Sequence, residues 1–173
     1  MLLVGADSHT ISAGAMGAFA TPIGSTELAT VLATGQIWLR VPETIRIELE
    51  GGLGSGLTMR DVTMRVLADH SASFATYRSL EYGGSFISGL DMEKRLVLAN
   101  QGIEMGAKNA VVEPAAWMED AMEAAGVERT SAPVLPDPGA EYCMRLRYDL
   151  DELEPMVAAP HSPDNVFPVT QIG

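Results

Sequence analysis

The sequence has 173 residues, 47% of them hydrophobic, a content that supports a packed core and excludes wholesale disorder. Its formal net charge is -12, with 11 Lys and Arg scattered along the chain, which excludes nucleic acid as a natural partner. No apolar run reaches the roughly 20 residues that cross a bilayer, and 1 cysteine supports neither an internal disulfide nor a four-cysteine metal site.

The opening run MLLVGA predicts a short buried strand running into Asp7-Ser8-His9. From Ser12 to Gly35 the chain is rich in Ala, Gly and Thr; Gly24-Ser25-Thr26-Glu27 marks a helix start and Gly35 a stop. ETIRIELEG sets Ile45, Ile47 and Leu49 against Arg46, Glu48 and Glu50, the period of a half-exposed strand. After the turn GGLGSG, Thr58-Met59-Arg60-Asp61 reads as a capping box leading a helix with Val62, Val66 and Leu67 inward.

SLEYGGSFI reads as a strand interrupted by Gly83 and Gly84. Asp91 then caps a helix with Leu96, Ala99 and Ile103 inward, ended by Gly106. NAVVE is a short buried strand, and Pro114 opens a helix striped by Met118, Ala121, Met122 and Ala125 before Gly126. A proline-rich connection, APVLPDPGAEY, leads to a strand at MRLRYDL, and the prolines of PHSPDNVFPVTQIG argue against regular structure there. Alternating strands and helices predict an α/β fold, with a boundary between residues 128 and 140.

Asp7, Ser8 and His9 place an acid, a hydroxyl and an imidazole side by side. Neighbours in an extended strand point to opposite faces, so they converge only where the chain turns. The pattern alone favours a helix cap over catalysis. Glu81, between Leu80 and Tyr82 and followed by two glycines, is either an exposed strand residue or a carboxylate aimed into a cleft; its residue type favours exposure. His161 reads as a loop hydrogen-bonding residue, His70 as a solvated helix end and Cys143 as a packed thiol without chemistry. G-x-S-x-G, the P-loop and H-E-x-x-H are absent, and GGLGSG fails the G-x-G-x-x-G spacing at Leu57.

The long string GADSHTISAGAMGAFATPIGSTELATVLATGQIWLRVPETIRIELEG, followed in order by SLEYGG, LDMEKRLVLANQGIEMGAKNAVVEP and YDLDELEPMVAAPHSPDNVFPV, resembles the aconitase superfamily over nearly all the chain. Within it, the resemblance is to the large subunits of the archaeal-type 3-isopropylmalate dehydratase and homoaconitase branch. It implies an aconitase-like α/β/α three-layer domain with short parallel strands, an internal fragment of a larger multi-domain subunit. Residues 1–130 would form the α/β region carrying the Asp-Ser-His-Thr motif, and 131–173 a connection and extended segment leading toward a cluster-binding domain.

The resemblance also implies a cytoplasmic hydro-lyase of amino-acid biosynthesis, acting on small hydroxy di- or tricarboxylic acids with a 4Fe-4S cluster. Asp7, Ser8 and His9 would then lie beside the cluster and substrate, and Glu81 would hydrogen-bond the hydroxyl or water. The family's cluster cysteines, in a Cys-Thr-Asn segment and a Cys-x-x-Cys, have no match here, and Cys143 corresponds to none of them. A small swivel-domain subunit is the expected partner, with homo-oligomerisation open. The sequence departs from the family at Ile11-Ser12, a frequent Cys-Thr, and at Pro22, often glycine. A noncatalytic scaffold is the competing expectation for a chain without cluster ligands.

Overall fold

The computed structural model describes residues 1–127 and 132–172. Its strands are β1 (Leu2–Gly5), β2 (Phe19–Pro22), β3 (Thr44–Glu50), β4 (Ser79–Gly83), β5 (Asn109–Val112), β6 (Met144–Asp149), β7 (Met156–Ala158) and β8 (Val166–Pro168). The helices are α1 (Ser25–Thr34), α2 (Met59–His70), α3 (Met92–Gln101) and α4 (Trp117–Ala124), and a 3-10 helix covers Ser8–Met16.

β5, β4, β3 and β6 form a parallel sheet in that order. The α/β fold expected from the alternating pattern is therefore what the chain adopts. The crossovers β3–α2–β4 and β4–α3–β5 move the same way along the sheet, which sets the two helices side by side on one face, where they touch. That face is the core: Ile45, Ile47, Leu49, Leu80, Tyr82, Ala110 and Val112 meet Val62, Val66 and Leu67 of α2 and Leu98 and Ala99 of α3. Each large aliphatic side chain buried there contributes roughly 1.5–3 kcal/mol. Alternation turns Arg46, Glu48, Glu81 and Arg145 to the opposite face.

β1 and β2 form a separate parallel pair. Asn109 joins it to the large sheet: its Oδ1 accepts from Ala20 N at 2.9 Å while its Nδ2 donates to Ser79 Oγ at 3.0 Å. The 3-10 helix lies against β5 at Gly14, where an added Cβ would sit 1.7 Å from the Ala110 carbonyl oxygen. Only glycine permits that approach.

Local signals placed most elements. Gly24 and Gly35 bound α1, Thr58 and Asp61 form the capping box of α2, and the Asp91 side chain accepts from Lys94 N at 2.9 Å to cap α3. Other expectations need correction. β1 forms but is not buried: Leu2 is 54% exposed, because the strand pairs with β2 alone among the described residues. On α3 the inward face is Arg95, Leu98 and Ala99, while Leu96 faces outward; a buried arginine is invisible to a hydrophobic count. α3 itself stops at Gln101 and a 3-10 turn, Gly102–Met105, carries the chain to Gly106.

α4 starts at Trp117, beyond Pro114, and buries no side chain, so its apolar stripe is not a core face here. Cys143 is exposed instead of packed, since it precedes the edge strand β6. The proline-rich tail holds regular structure after all: β7 and β8 pair antiparallel against α2. Pro155, Pro160 and Pro163 flank the two strands, and Pro168 ends β8, so none needs to supply an internal ladder N–H. β6, from beyond the proline-rich connection, completes the same sheet as β3. Part of the 128–140 boundary lies outside the described residues.

Candidate functional site

Asp7, Ser8 and His9 occupy the turn where β1 passes into the 3-10 helix, so the convergence that an extended strand forbids becomes available. Asp7 is the N-cap: its Oδ1 accepts from His9 N at 2.6 Å, and its carbonyl accepts from Thr10 Oγ1 at 2.7 Å. Ser8 Oγ lies 3.2 Å from His9 Nδ1, and Asp7 Oδ1 lies 3.7 Å from the same nitrogen. All three residues are exposed, and His9 Nε2 has no partner among the described residues. The cap expected from the pattern is thus real. It also organises an acid, a hydroxyl and an imidazole toward solvent.

Glu81 belongs to a second cluster, on the sheet face opposite the core helices. Its side chain is 20% exposed, so it is neither the solvated strand residue favoured by its type nor a buried one. β3 and β4 pair Arg46 directly with Glu81. Arg46 Nη1 lies 2.6 Å from Glu81 Oε1 and 2.6 Å from Glu113 Oε1, one nitrogen bridging two carboxylates. The same Glu81 oxygen accepts from Tyr142 Oη at 2.9 Å. Arg46 Nε stands 3.7 Å from Glu48 Oε1, and Arg145 stacks its guanidinium 4.4 Å from the Tyr142 ring centroid. Gly83 makes room: a Cβ there would sit 2.0 Å from Arg46 Nη2.

The electrostatics follow from this packing. Burial disfavours the charged Arg46, but the Glu113 hydrogen bond and the charges of Glu113 and Glu81 outweigh it and hold the guanidinium's pKa above its ordinary value. Burial, the hydrogen bond to Glu81 and the Glu81 charge all push the Tyr142 phenol up, against Arg46 and Arg145. Behind the cluster, Arg95 is 0% exposed and donates to the carbonyls of Ala15, Ile87, Val112 and Glu113. It ties the end of the 3-10 helix to the end of β5.

No hydrogen bond or ion pair joins the Asp7-Ser8-His9 turn to the Glu81 cluster among the described residues. His70 stacks on Phe74 at 5.2 Å and is half-buried, and His161 is exposed. Sequence reasoning missed Arg46, Glu113, Tyr142 and Arg95. The available signal was the glycine at Gly83: an alternating strand that drops its side chain beside a long cation on its neighbour leaves a bed for that cation. The donor set does not fit a 4Fe-4S cluster, which is held by several thiolates: the chain has 1 cysteine. Among the described residues no group of three His, Cys, Asp or Glu is arranged to hold a metal ion, and no helix is long and apolar enough to cross a membrane.

Comparison with known proteins follows the same outline. The family model for the aconitase family (aconitate hydratase) matches residues 1–173. The chain is 47% identical over 172 residues to the 3-isopropylmalate dehydratase large subunit 1 of Methanopyrus kandleri, covering 99% of the chain and 41% of that protein. It is 42% identical over 175 residues to the 3-isopropylmalate dehydratase large subunit of Heliobacterium modesticaldum, covering 99% of the chain and 40% of that protein. A probable methanogen homoaconitase large subunit of Methanosarcina mazei is 42% identical over 171 residues, covering 99% of the chain and 44% of that protein. The chain thus spans about two fifths of the length of these relatives. A match along the whole sequence, on a parallel α/β sheet, places the chain in the aconitase family.

Proposed function

We propose that the chain is part of the catalytic large subunit of a hydro-lyase that removes and re-adds water on a small hydroxy di- or tricarboxylic acid of the isopropylmalate kind. The observation that carries this reading is 38–47% identity, along 99% of the chain, to proteins named as 3-isopropylmalate dehydratase or homoaconitase large subunits. A 4Fe-4S cluster would be held by cysteines of the parent subunit other than Cys143, and the large-subunit names of the relatives support a small-subunit partner.

Dehydration of such an acid needs help twice, because a proton next to a carboxylate is weakly acidic and hydroxide is a poor leaving group. This chain's share is to bind and orient. Glu81 accepts a hydrogen bond from the substrate hydroxyl. His9 Nε2 and the Ser8 hydroxyl, exposed on the β1 turn, contribute hydrogen bonds to the carboxylate groups, and Asp7 fixes the turn that aims them. Asp7, Ser8 and His9 follow the carboxyl end of β1, and the carboxyl ends of parallel strands are a usual location of such groups.

The test is an assembled enzyme containing this chain, its cluster and a small subunit, assayed with 3-isopropylmalate and with homologous hydroxy acids. Loss of a hydrogen-bonding or acid-base group costs about 100- to 10,000-fold in rate. Glu81→Gln and His9→Asn are expected to fall in that range in kcat while leaving the fold intact. Wild-type rates in both variants would remove these residues from the site.

A further inference from the structure

Glu81 has two carboxylate oxygens, and the protein uses one of them twice. Arg46 Nη1 at 2.6 Å and Tyr142 Oη at 2.9 Å both engage Oε1. Oε2 has no hydrogen-bond partner among the described residues. No fully buried side-chain polar atom among them lacks a partner either, so Oε2 is open to solvent. From this we infer that Arg46 and Tyr142 are positioning residues that clamp Glu81 by Oε1 and present Oε2 to the hydroxyl group of the substrate. The inference rests on the reading of Glu81 as a substrate-facing carboxylate.

The clamp is built to resist rotation of that carboxylate. Arg46 cannot swing away, because its Nη1 is shared with Glu113 and its guanidinium lies over Gly83, with side-chain exposure of only 11%. Tyr142 is backed by Arg145, whose guanidinium stacks on its ring and itself stands 3.8 Å from Glu48. Two donors arriving from β3 and from the segment before β6 fix both the position and the roll of one carboxylate on β4. The local charge sets what Oε2 can receive. Arg46 faces Glu81, Glu113 and Glu48, so the cluster's balance is negative and a neutral donor such as a hydroxyl suits it, whereas a substrate carboxylate does not.

The experiment compares Glu81→Gln, Arg46→Gln, Arg46→Lys and Tyr142→Phe in the assembled enzyme. A group displaced by about 1 Å from a reacting centre costs on the order of 100-fold. Arg46→Gln is expected to lower kcat by about 10- to 100-fold with KM changed little, and Arg46→Lys to recover most of that loss by restoring a charged donor. Tyr142→Phe, which leaves ring packing intact and so guards against a folding artefact, is expected to lose about 5- to 10-fold, the loss of a single orienting donor.

A readout without turnover is the phenol titration of Tyr142 in the full chain, isolated by subtracting Tyr142→Phe from the parent spectrum. Glu81→Gln should bring that titration to lower pH. If Glu81→Gln retains wild-type kcat, the reading of Glu81 fails and the clamp with it. If Glu81→Gln is impaired while Arg46→Gln and Tyr142→Phe retain wild-type kcat, or if the phenol titration does not respond to Glu81→Gln, the clamp alone is overturned.

Discussion

At the scale of single residues the chain commits two arginines to burial, and they differ in what satisfies them. Arg46 is neutralised by carboxylates, whereas Arg95 donates its hydrogen bonds to four main-chain carbonyls and feels the Glu113 charge only at longer range. Arg95→Met preserves much of the volume but removes the side-chain donor from the carbonyls of Ala15, Val112 and Glu113, while Ile87 keeps the Leu90 N–H, and each buried group left unsatisfied costs about 1–3 kcal/mol. The variant is expected to lose roughly 3 kcal/mol or more, seen as a lower urea midpoint with an unchanged slope. Tyr142 offers a pH test of the same face. Its folded pKa is raised above the ordinary 10.0, first by burial and then by Glu81, so the unfolded chain releases that proton earlier. The phenol's contribution to stability is therefore whole below about pH 10 and declines as pH rises toward the folded value, a decline that Tyr142→Phe should remove from the alkaline unfolding curve.

At the scale of elements, two contacts decide whether the pieces dock. The 3-10 helix meets β5 through Gly14, and a Cβ there would meet the Ala110 carbonyl oxygen at 1.7 Å and its carbon at 2.8 Å, both backbone atoms that cannot step aside. Gly14→Ala is expected to cost about 3 kcal/mol or more and to loosen the Asp7-Ser8-His9 turn, read as lost amide-exchange protection in that helix. Asp61 joins α2 to the terminal hairpin: Oδ2 accepts from Thr58 N at 2.8 Å and Thr58 Oγ1 at 2.9 Å, while Oδ1 accepts from Met156 N at 3.0 Å. Burial opposes the Asp61 charge, but the Met156 and Thr58 hydrogen bonds hold its pKa below 3.8. Its contribution is present above the ordinary value and is lost as pH falls through the folded one, so Asp61→Asn should cost about 1–2 kcal/mol near neutrality and flatten the acid limb of unfolding. The capping half of this contact was legible in Thr58-Met59-Arg60-Asp61, because caps are local. The hairpin half was not, because Met156 lies 95 residues away and its prolines read as breakers until their positions beside the strands are known.

At the scale of the molecule, sequence patterns recorded where apolar side chains recur, and that was enough for the parallel strands and α2. They could not record pairing, so Arg46 read as the polar side of a half-exposed strand and Glu81 as exposed, and Arg95 gave no signal at all. The turn at Asp7 was legible as a cap; the role proposed for it beside a substrate came from resemblance and not from spacing. An apolar stripe also does not say what covers it: Met118, Ala121, Met122 and Ala125 mark α4, which buries no side chain. The same limit governs the metal chemistry. A 4Fe-4S cluster held by thiolates needs more sulfur ligands than 1 cysteine supplies, and even two copies of the chain would bring only Cys143 from each, on exposed edges. The 173-residue chain, reconstituted anaerobically with iron and sulfide, is therefore expected to retain neither in stoichiometric amount and to show no dehydratase activity. Iron and acid-labile sulfide assays after desalting check the first point, and a charge-transfer absorption band with four irons per chain would overturn it.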